Sequence, residues 1–127
     1  MSEGDTHPPF GYRMEARDGY LYVKVWGQLQ SREQLVAYQA AILAHMTPET
    51  RERVVIDGRE AERPLQDLRA EMWTWMSVTP ELKRIAIIAE SPRTTSRVAR
   101  TAQLNRMVVS GFHSIEEAEQ WLRRAPD

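Results

Sequence analysis

The sequence has no cysteine in its 127 residues. That excludes disulfides, thiolate nucleophiles and cysteine-ligated metals, and it fits a reducing, cytoplasmic setting. Glycine is sparse too: the six present are scattered and never form G-x-G-x-x-G, so no glycine-rich phosphate loop is encoded. The three histidines, His7, His45 and His113, fall in a tail, on a helix and in a loop, without H-E-x-x-H or any other ligand spacing. No metal and no cofactor is expected. No apolar run approaches the roughly 18–20 residues that span a bilayer, and the start of the chain lacks the basic and apolar regions of a secretory signal. Neither sign of charge is in excess. The formal net charge is −1 and the isoelectric point about 6.3, so there is no global basic field to hold nucleic acid.

What is present is the composition of one soluble globular domain, 42% hydrophobic and 28% charged, at a length that builds one core and not two. Residues 1–10 are polar, hold Pro8-Pro9 and have no period; they read as a disordered tail, with 11–127 as the domain. Tyr12, Met14 and Ala16 then alternate with Arg13, Glu15 and Arg17, the period of a half-buried strand. Asp18-Gly19 is a hairpin turn signal, and Tyr20 to Trp26 follows as a second strand with faces Leu21, Val23, Val25 and Tyr20, Tyr22, Lys24, Trp26. The period next becomes helical. Ser31 and Gln34 form a capping box, and Leu35, Tyr38, Ile42 and Met46, with Val36 and Leu43 beside them, give an apolar stripe that Thr47-Pro48 ends.

Val54-Val55-Ile56 reads as a buried strand closed by Asp57-Gly58. Pro64 opens a second helix with Leu65, Leu68, Met72, Trp75 and Met76 on one side, and Leu82 to Ala89 is another strand. Ser91-Pro92 starts a third helix to about Leu104, Arg106 to Gly111 is the last strand, and Ser114 with Glu117 caps a fourth helix striped by Ile115, Ala118, Trp121 and Leu122. The order β-β-α-β-α-β-α-β-α implies an α/β fold with a mixed, mostly parallel five-stranded sheet, an N-terminal antiparallel hairpin and four helices.

This order, with DGYLYVKVWGQL at residues 18–29, VVIDGR at 54–59, RIAIIAE at 84–90 and VVSGFHSIEEAEQWL at 108–122, resembles the STAS superfamily and more closely its SpoIIAA-like branch, related to the CRAL-TRIO lipid-binding fold. The resemblance implies a non-enzymatic regulatory domain that binds proteins or lipid-like molecules. Anti-sigma-factor antagonists of that superfamily carry a phosphorylatable serine directly after the aspartate ending the third strand. Here Asp57 is followed by Gly58, Arg59 and Glu60, so that switch is not at its usual place.

Ligands of open parallel sheets collect at the carboxyl ends of the strands. That rule gathers Asp57, Arg59, Glu90 and His113, with Ser91 and Ser110 nearby. A hydrolase reading of Ser110, His113 and Asp57 has no G-x-S-x-G elbow or oxyanion loop behind it, and Ser91 and Ser114 are explained as helix caps. Arg93, Arg97 and Arg100 lie at i, i+4 and i+7 on the third expected helix, a stripe able to hold an anionic headgroup. Trp73 and Trp75 point about 200° apart on the second helix. Trp75 shares the apolar stripe, which leaves Trp73 at its flank.

Two functions follow, with a hydrolase using Ser110, His113 and Asp57 as a further alternative. In the first, an aromatic surface around Trp73, with Tyr20, Tyr22 or Trp26, binds a protein partner or a second copy of the chain as a homodimer. In the second, a pocket between the second and third helices binds a small amphiphilic or lipid-like anion. Met72, Trp73 and Met76 would form its walls, and Arg93 or Arg97 would meet the headgroup.

Overall fold

The hairpin forms because Asp18-Gly19 reverses the chain with Gly19 at φ +87°, a left-handed conformation that is strained for any residue with a Cβ. In the computed structural model, residues 9–50, 53–62, 64, 66–79, 82–90, 93, 97–98, 100 and 109–124 are described. Strands β1 (Gly11–Arg17) and β2 (Tyr20–Gly27) pair antiparallel, with Arg17 opposite Tyr20 and Gly11 opposite Trp26. Strands β3 (Arg53–Ala61), β4 (Arg84–Ile88) and β5 (Val109–Phe112) add in parallel, giving the sheet order β1-β2-β3-β4-β5.

The two-residue alternation sorts the core onto two faces. Leu21, Val23, Val25 and Val54 turn one way and pack against Leu35, Tyr38 and Ile42 of α1 (Arg32–His45) and Leu68 of α2 (Gln66–Val78). Tyr20, Tyr22, Val55, Ala86 and Ile88 turn the other way, against Ala118 and Leu122 of α3 (Ile115–Arg124). A third group, Met76, Ile85, Val98 and Val109, joins α2 to the β4–β5 side. Each fully buried aliphatic side chain contributes about 1.5–3 kcal/mol of transfer free energy, so the alternation decides which face each helix covers.

The helix ends follow from local chemistry. Ser31 Oγ accepts from the Gln34 amide at 3.2 Å, while Gln34 Oε1 reaches one residue further back and accepts from the Gln30 amide at 2.9 Å. At α3 the Glu117 amide donates to Ser114 Oγ at 3.3 Å. Glu116 and Glu117 in its first turn and Arg123 and Arg124 in its last complement the helix dipole.

The structure corrects several boundaries. Four helices are expected; the described residues give three, apart from the short 3-10 turn Pro48–Thr50. Arg93, Arg97, Val98 and Arg100 are helical, and the rest of the 91–104 span lies outside the described residues. The third strand does not stop at Asp57-Gly58. It runs on to Ala61 because β2 keeps pairing with it past a register shift between Lys24 and Trp26, a bulge that absorbs the extra residue. The second helix begins at Gln66 rather than Pro64. The fourth strand starts at Arg84 because the Leu82 amide is bonded to Thr79 O in a turn. The fifth gains Phe112, paired with Ile88. Residues 1–8 of the expected tail lie outside the described residues; Phe10 packs edge-on against Tyr38 with ring centroids 5.5 Å apart.

Candidate functional site

At the carboxyl ends of β2, β3 and β4 the sheet and α2 diverge and leave a cavity of about 420 Å³. This is where open parallel sheets place their ligands, and the volume is typical of small-molecule pockets. The strand ends contribute small residues, Gly27, Gly58, Ala61 and Ala89. From α2 come Arg69, Met72, Trp73 and Met76, a stripe at i, i+3, i+4 and i+7 that faces one way on a helix. Ile56, Ile87 and Val98 complete the apolar wall, and Arg59, Glu90 and Arg97, all exposed, stand among the lining residues.

Four of the five residues expected to bind a ligand thus line one cavity: Met72, Trp73, Met76 and Arg97. Arg93 is exposed and is not among the lining residues. Trp73 is half-buried and packs against the cluster of Met76, Ile85 and Val98. The aromatic surface expected around it is not assembled. Tyr20 and Tyr22 are core residues under α3, because the second strand is covered on both faces there. Only Trp26 stays open, 37% exposed, with its indole lying over Gly11.

The strand-end group divides. Asp57 is 3% exposed and faces Tyr22, whose hydroxyl donates to Oδ2 at 2.7 Å. Arg59 grips the same carboxylate with Nε at 2.9 Å and Nη2 at 2.7 Å. Burial pushes the Asp57 carboxyl up, but the hydrogen bonds from Arg59 and Tyr22 outweigh it and hold the pKa at about 2. The Tyr22 hydroxyl is pushed up to about 12 by burial and by its bond to that carboxylate, and the Arg59 guanidinium is raised by its pairing with Asp57. His113 is exposed beyond β5. Since Asp57 pairs with Ile88 and Ile88 with Phe112, β5 lies two strand spacings from β3, roughly 10 Å. Ser110, His113 and Asp57 therefore form no proton relay. Among the described residues no group of three or more metal-ligating side chains converges, and no helix is long and apolar enough to cross a membrane.

Tyr38 and Arg69, neither of them expected at a site, also line the cavity. In the sequence Tyr38 reads only as part of the apolar stripe of α1. Arg69 carries a readable signal, because its spacing to Met72, Trp73 and Met76 puts all four on one face.

No protein-family model and no curated protein matches this sequence. Among solved structures, the chain is similar to an uncharacterised DUF3478-family protein with a SpoIIAA-like fold from Shewanella loihica PV-4. The identity is 23% over 96% of this chain and 98% of that one, with a TM-score of 0.67. It is also similar to an anti-sigma factor antagonist from Mycobacterium paratuberculosis, at 17% identity over 91% of this chain and 95% of that one, with a TM-score of 0.65. The mixed five-stranded sheet, the helices on both of its faces and these two superpositions agree: the chain has a SpoIIAA-like fold.

Proposed function

We propose that this domain is a binding module, not an enzyme, and that it takes one small, mostly apolar molecule into the cavity at the carboxyl ends of β2–β4. The observation that carries this reading is the cavity itself: about 420 Å³ with largely aliphatic and aromatic walls, the usual character of a ligand site. Its position supports the reading independently, since the strand-end rule points to the same place. Trp73 supplies the assay. Titration with octanol or octanoate, followed by tryptophan emission and by native mass spectrometry, is expected to saturate at one molecule per chain. Gly58→Leu, which puts a side chain on the cavity wall, is expected to abolish the adduct. No saturable change with either probe, and no adduct, would overturn the reading.

A second reading, docking of a second copy, is favoured by α1. Its outward face carries Val36, 55% exposed, and Leu43, 36% exposed, with Ala37, Ala40 and Ala44 exposed between and beside them. A two-fold interface pairs the same face of both copies, and the Mycobacterium protein of the same fold is described as an anti-sigma factor antagonist. Sedimentation of the wild type is expected to show a concentration-dependent dimer that Val36→Glu dissolves. A monomer at every concentration would remove this reading and leave the cavity untouched.

A further inference from the structure

Among the described residues, two buried side-chain polar atoms have no hydrogen-bond partner, Tyr38 Oη and Arg69 Nε. Both residues line the cavity, and they reach it from different helices. Tyr38 is 3% exposed and is ringed by Phe10 and Tyr12 at centroid distances of 5.5 and 5.3 Å, and its hydroxyl finds no acceptor beside them. Buried polar groups in folded proteins are almost always satisfied, and leaving one unsatisfied is unfavourable. Two such atoms, both on residues that line one cavity, therefore point at what the cavity holds.

Both groups donate. The Arg69 guanidinium has only donors. The Tyr38 hydroxyl keeps its proton because burial, helped by nearby Tyr12, pushes its pKa above the ordinary 10. The other lining cations are differently engaged: the Arg59 guanidinium is committed to Asp57, and Arg97 is exposed. Glu62 and Glu90 also line the cavity, which makes a multiply charged anion a poor guest.

Resting on the reading of the cavity as a ligand site, we infer that the ligand is a monocarboxylate with an apolar body, and that its carboxylate is received inside the cavity by Tyr38 and Arg69. The headgroup position is thus on α1 and α2, away from Arg93. Charge-assisted hydrogen bonds of this kind discriminate strongly against a neutral analogue.

Calorimetric titration of the full chain with octanoate, octanol and octylamine tests this. Octanoate is expected to bind at least about tenfold tighter than octanol, and octylamine more weakly than either. Arg69→Gln is expected to weaken octanoate about tenfold while leaving octanol unchanged, and Arg69→Lys to restore part of the loss. Tyr38→Phe, which keeps the ring packing, is expected to cost octanoate a few-fold in affinity. Equal binding of octanoate and octanol, or an Arg69→Gln loss shared by both, would overturn the carboxylate assignment and leave the cavity reading standing. Binding of none of the three probes would overturn both.

Discussion

Asp57→Asn isolates the most tightly held charge among the described residues, and its effect can be worked from the structure before it is measured. The carboxylate is 3% exposed and accepts from Tyr22 Oη, from Arg59 Nε and Nη2, and from the Arg59 amide at 3.3 Å. Its pKa falls from 3.8 to about 2 on folding, a difference equivalent to roughly 2 kcal/mol of native-state preference for the ionised form. The sign follows from the depression. Between pH 4 and pH 2 the unfolded chain binds more protons than the native one, so stability falls as the pH drops through that window. Above about pH 4 the full contribution is present.

Asparagine keeps the shape and one acceptor but loses the charge. The Arg59 side chain is 37% exposed, so water takes up part of what its guanidinium loses, and the penalty at pH 7 is expected near 2 kcal/mol rather than the roughly 3–5 kcal/mol of a fully buried broken pair. Urea denaturation followed by far-UV circular dichroism at pH 7, 4, 3 and 2 measures it. The wild type is expected to exceed Asp57→Asn by about 2 kcal/mol at pH 7, with the gap closing towards pH 2. Tyr22→Phe, which removes one donor to the carboxylate, is expected to move the acid limb of the wild-type curve to higher pH. A gap of the same size at pH 7 and pH 2 would refute the reasoning, because it would mean that the loss comes from the acceptor oxygen replaced by an NH2 donor and not from the charge of Asp57.

Gly19 and Gly58 are expected to respond in opposite directions to alanine. Gly19 sits at φ +87°, where a Cβ costs about 1–2 kcal/mol, while at Gly58 a Cβ meets Ile88 O at an ordinary 3.5 Å and should gain up to about 0.5–1 kcal/mol from the less flexible unfolded chain; thermal melts of the two variants decide it. Leu122→Ala removes a side chain only 2% exposed beneath α3 and is expected to cost about 2–5 kcal/mol in urea denaturation, whereas a loss below about 1 kcal/mol would mean that α3 contributes little to the sheet.

The strands and caps are legible in the sequence because their signals are local. Alternation along β2 identifies both of its faces, and Ser31 and Ser114 mark the starts of α1 and α3. The extent of β3 is not legible. Asp57-Gly58 has the composition of a turn, and only pairing with β2 across a bulge keeps the strand going to Ala61. On α1 the segment 35–44 is apolar nearly all round, so periodicity does not separate buried Leu35, Tyr38 and Ile42 from exposed Val36 and Leu43. Spacing marks Tyr38 as core, but its lone hydroxyl depends on Phe10 and Tyr12 being its neighbours, and those come from a segment that reads as tail and strand edge. Met72, Trp73 and Met76 are legible as a group because one helix carries them. Arg69 belongs to the same stripe, yet a single charged residue beside an apolar face reads as a flank until the cavity behind it is seen.

The cavity is hard to explain as a packing accident. It opens to solvent beside the exposed Arg59, Glu90 and Arg97, and its lining lacks the contacts that a filled core would make, so the site is one that larger side chains could fill. Instead the strand ends carry Gly58, Ala61 and Ala89. At Gly58 nothing in the backbone demands glycine: its φ lies outside the left-handed region and a Cβ has room. A small residue at that position keeps space open at the expense of stability, as expected where binding rather than packing sets the choice. If the cavity exists to hold a ligand, filling it with Gly58→Leu should raise the unfolding temperature while binding of octanoate is lost. A fall in both would mean that the introduced leucine disrupts the wall instead of filling the space, and that the small residues serve the fold alone.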